Sequence, residues 1–124
     1  MASELYYIPE GSFDHILNKE IERADEVIIS VSFVFISGLG LIIDSLKKIK
    51  DQSRLTIIIS NYLKSSEPGA LLRLLELRDL GANIYLYDSI GAKRSFHMKS
   101  FLFSTKSSDT LIVGSSNISL TAFQ

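Results

Sequence analysis

Two apolar stretches near the end of the chain, Phe96–Ser104 and Thr110–Gly114, are separated only by the polar run Thr105-Lys106-Ser107-Ser108-Asp109. A link that short joins neighbouring strands antiparallel, because a parallel return needs a crossover of a dozen or more residues. Upstream the pattern differs. Short β-branched runs, 26–35 (EVIISVSFVF), 54–60 (RLTIIIS) and 82–87 (ANIYLY), alternate with segments of helical periodicity at 11–24, 38–50 and 68–80. Strands separated by helices imply parallel pairs with right-handed crossovers. The expected fold is therefore α/β, a mixed and mostly parallel central sheet flanked by helices on both sides. Large apolar residues occupy both alternating sets of Phe96–Ser104, so that strand is expected to be central and covered on both faces.

Local signals sharpen the boundaries. Ser12 is placed to cap the first helix, and Leu39, Ile42, Ile43, Leu46 and Ile49 form the stripe of the second. Lys47, Lys48 and Lys50 sit where a helix C-terminus favours cations. Pro68 suits the first turn of the third helix, and Gly81 the position just past its end.

Composition narrows the function classes. The 124 residues are expected to form a single domain, 1–124, taken as a fragment of a longer protein. There is no cysteine, which removes disulfides and thiolate metal sites and fits a reducing cytoplasm. Two histidines without ligand spacing give no reason to expect a metal, and no cofactor motif is visible. The longest apolar run, Val27 to Ile36, is far short of the roughly 20 residues of a membrane helix, so no membrane partner is expected. A net charge of -1 is low for autonomous, strongly electrostatic DNA binding.

Two clusters carry chemistry. His97 and Lys99 are two apart on a strand, hence on one face. Each also has an ordinary reading: a core histidine bonded to a carbonyl, and a lysine reaching to the sheet edge. Gly114-Ser115-Ser116-Asn117 follows the next strand directly and precedes an expected helix from Ile118. Its ordinary reading is a capped strand-to-helix turn. The hairpin makes the two strands neighbours. It can thus gather an imidazole, an ammonium, hydroxyls, an amide and backbone N–H donors, a set suited to a tetrahedral phosphate. Lys93 and Arg94, just upstream, are cations able to steer a polyanion, though a solvated loop is their default.

His97-x-Lys99 followed by Gly114-Ser115-x-Asn117 resembles the paired HxKxxxxD and GSxN signature of the phospholipase D superfamily. Segments Phe33–Leu39, Ser60–Leu63, Glu67–Leu71 and Gly81–Ile84 resemble the branch found at the N-terminus of bacterial DEAD/DEAH-type helicases and in restriction-type nucleases. The resemblance implies a metal-independent phosphodiesterase acting on nucleic acid, DNA rather than RNA, through a phosphohistidine. It implies His97 as nucleophile or acid partner, Lys99 and Asn117 as phosphate ligands with Ser115 assisting, and Lys93, Arg94 and Ser116 as further nucleic-acid contacts. Only one motif is present. His15 lacks a lysine two residues on, so the second histidine would come from a homodimer formed through the active-site face. Two departures favour an alternative, a weak or inactive module for DNA binding or dimerisation. Ser104 occupies the family's aspartate position, and no glutamate follows Asn117 within the sequence. A phospholipid substrate is a third reading, without a membrane-facing element to support it.

Overall fold

A computed structural model describes residues 13–31, 36–60, 68–87 and 99–114. The elements are α1 (Phe13–Arg23), β1 (Glu26–Val31), α2 (Ile36–Leu39), α3 (Ile43–Lys47), a 3-10 turn (Gln52–Arg54), β2 (Leu55–Ser60), α4 (Pro68–Asp79), β3 (Asn83–Tyr87), β4 (Lys99–Ser104) and β5 (Asp109–Gly114). The five strands form one sheet in the order β3-β2-β1-β4-β5. Strands β1, β2 and β3 pair in parallel, while β4 runs antiparallel to both β1 and β5. The chain is α/β with a mixed sheet flanked by helices.

Burial follows the two-residue period. Val27, Ile29 and Val31 of β1, Leu55, Ile57 and Ile59 of β2, and Phe101 and Phe103 of β4 are buried, and the register aligns them on one face. The same core takes Phe13, Leu17 and Ile21 from α1, Leu46 from α3 and Ala70, Leu74 and Leu77 from α4. Each such aliphatic side chain contributes roughly 1.5–3 kcal/mol on leaving water. Phe13 meets Phe101 edge-to-face, centroids 5.6 Å apart at 88°, which fixes α1 on this face. The described helices therefore all pack on one side. On β4, Phe101 and Phe103 are buried on the core face, and Ser100 and Leu102 are half-buried on the other.

The second expected helix, 38–50, is also corrected. It is two short helices joined by a turn at 40–42. Gly38 and Gly40 each weaken a helix by about 1 kcal/mol relative to alanine. The opening is stabilised from α1, where Asn18 Nδ2 donates to the Leu41 carbonyl at 2.9 Å and Asn18 Oδ1 accepts from Ser45 Oγ at 2.7 Å. The apolar stripe survives the break, with Leu39, Ile42 and Leu46 fully buried. The far end of α3 is closed by Gln52, whose Nε2 donates to the carbonyls of Leu46 (2.9 Å), Ile49 (2.8 Å) and Lys47 (3.3 Å). Helix α4 ends as its sequence indicates. Gly81 takes φ 115°, its N–H donates to Arg78 O, and Ala82 N–H reaches back to Leu77 O.

Candidate phosphate site

Among the described strands the order reverses at β1. From β1 the chain passes outward to β2 and β3; on the other side of β1 lies β4. Open α/β sheets bind ligands at the carboxyl ends of their strands beside such a reversal. Lys99 opens β4 at that end, next to the close of β1 at Val31. Strand β5 is antiparallel to β4 and finishes at the same end, and the register sets Lys99 opposite Gly114. Paired Cα atoms in such a ladder are about 4.5–5.5 Å apart.

Of the residues singled out by sequence, the structure places Lys99. Its side chain projects from the same face of β4 as Phe101 and Phe103, is half-buried, and begins where the core ends. Among the described residues no carboxylate pairs with it. A half-buried lysine is a group able to pair with an anion. His97, Ser115, Ser116, Asn117, Lys93 and Arg94 lie outside the described residues. Covalent geometry nevertheless bounds two of them: the Cα of His97 is within about 7 Å of that of Lys99, and Ser115 is bonded to Gly114. The two halves of the candidate motif are thus attached to directly paired backbone positions.

Ser104 lies at the opposite end of β4, roughly 17 Å along the strand from Lys99. Its register partners are Glu26 and Asp109, and its carbonyl accepts from Asp25 N at 2.8 Å. Ser104 is therefore far from the candidate phosphate site. His15 is exposed on α1.

A cleft of about 430 Å³ opens elsewhere, at the amino ends of β1 and β2. Arg23, Lys48, Lys50 and Arg54 alternate there with Glu22, Asp25 and Asp51, so no single charge sign dominates. Arg23 is already engaged by Glu20 at 3.0 Å. The Asp51 carboxyl is held below its ordinary value, first by the Ser53 hydroxyl and then by the Ser53 N–H and the charge of Arg54. That arrangement closes a turn rather than waiting for a ligand.

No described helix is long and apolar enough to cross a membrane. Among the described residues no three His, Cys, Asp or Glu side chains are grouped to hold a metal. Comparison of the sequence with protein-family models and with curated proteins finds no match.

Proposed function

We propose that this chain is a cytoplasmic phospholipase D-type phosphodiesterase domain that acts on nucleic acid, DNA in preference to RNA, within a helicase- or restriction-type protein. The observation that carries the reading is the pairing of Lys99 with Gly114 at the switch point of the sheet. It supports the reading because Lys99 belongs to the HxK half of the motif and Gly114 to the GSxN half, and no carboxylate among the described residues pairs with the lysine.

In this reading a phosphodiester lies against Lys99 and Asn117, whose donors face the non-bridging oxygens and stabilise the charge that grows as phosphorus becomes five-coordinate. The His97 imidazole attacks phosphorus and forms an N–P bond. The P–O bond to the leaving alcohol breaks, and a second histidine donates the proton that alcohol needs. Water then attacks the phosphohistidine, returning the imidazole and releasing the phosphomonoester. Because this chain carries one such motif, the second histidine comes from another copy across a two-fold axis.

The test is hydrolysis of DNA and of a chromogenic phosphodiester in EDTA, with His97→Ala and Lys99→Ala alongside. Turnover that survives chelation and disappears in His97→Ala is expected. Ser104 favours a second reading, a module that binds without cleaving. DNA binding lost in Lys99→Ala, with no turnover in any form, would establish that instead. Neither turnover nor Lys99-dependent binding would overturn both.

A further inference from the structure

We draw no further inference here: the strongest candidate, the cleft of about 430 Å³ at the amino ends of β1 and β2, sets Arg23, Lys48, Lys50 and Arg54 among Glu22, Asp25 and Asp51, and nothing in the structure shows what would occupy it.

Discussion

Replacing Gln52 with leucine tests how α3 is held. The side chain is 9% exposed, and its amide nitrogen faces three carbonyls at 2.8, 2.9 and 3.3 Å. An amide has two hydrogens, so two of these bonds are made well. Leucine removes both donors and leaves acceptors unpaired at a cost of about 1–3 kcal/mol each. Against that, the Gln52 Oε1 is itself buried without a partner, and leucine removes that burden, worth about 1–2 kcal/mol. The net expectation is a loss of about 1–3 kcal/mol, read as a lower urea midpoint at unchanged slope and a fall in Tm of the order of 5–15 °C. Gln52→Glu is the sharper companion. At pH 7 it sets a carboxylate oxygen against carbonyls and should destabilise more than leucine does. The introduced carboxyl would have a raised folded-state pKa, so the folded form binds a proton more readily than the unfolded. Stability of that variant therefore rises as pH falls from 7 towards 5, where the protonated group again donates. Gln52→Leu within 0.5 kcal/mol of the parent, or Gln52→Glu no worse than Gln52→Leu at pH 7, would refute the capping argument.

Phe101→Ala should cost about 3–5 kcal/mol in chemical unfolding, and a double cycle with Phe13→Leu and Phe101→Leu should show about 0.5–1.5 kcal/mol of coupling from the edge-to-face pair. Gly81→Ala should cost about 1–2 kcal/mol, since φ 115° is strained for any residue with a Cβ; equal stability would contradict the turn. Lys99→Met should weaken phosphodiester binding tenfold or more with the urea midpoint little changed, because the ammonium lies at the edge of the core; a large loss of stability instead would mark it as structural. The Glu76 carboxyl is held below its ordinary value of 4.5, first by the hydrogen bond from Lys47 and then by the charges of Arg73 and Lys47, opposed by desolvation. That support is present above pH 4.5 and lost as pH falls through the lower folded-state value. Lys47→Met should flatten this part of the pH profile, by a small amount at so exposed a pair.

What the sequence discloses here depends on whether the cause is local. Strand boundaries at β2 and β5, the end of α4 at Gly81 and the antiparallel hairpin are visible because each rests on a few adjacent residues. The break between α2 and α3 was less accessible. Their apolar stripe is continuous, and the partner that stabilises the break, Asn18, lies on another helix. That Leu102 is less buried than Phe101 and Phe103 has a related cause. Leu102 is as apolar as Phe101 and Phe103, and composition does not say which of two apolar faces acquires a helix. Strand order has no local signature either. Nothing near Lys99 announces that β1 ends beside it, yet that neighbour puts the lysine at the switch point.

The register of the closing hairpin ties the fold to the candidate site. Phe101 and Phe103 are committed to the core, so period-two alternation commits Lys99 to the same face of β4. Slipping β4 by one residue would bury Ser100 and Leu102 in place of the phenylalanines and turn Lys99 to the other side. The core cost of that slip, two phenylalanines given up for one leucine and a serine and so about 1.5–3 kcal/mol, is what holds the lysine where it is. The same ladder sets Gly114 opposite Lys99, and glycine admits a ligand close to the backbone. On the proposed reading, an anion at that place would meet an ammonium whose strand position is fixed by the core, opposite a glycine on the next strand. That geometry is determined by hydrophobic packing several residues away, so substitutions at Phe101 or Phe103 should displace the lysine as well as weaken the core.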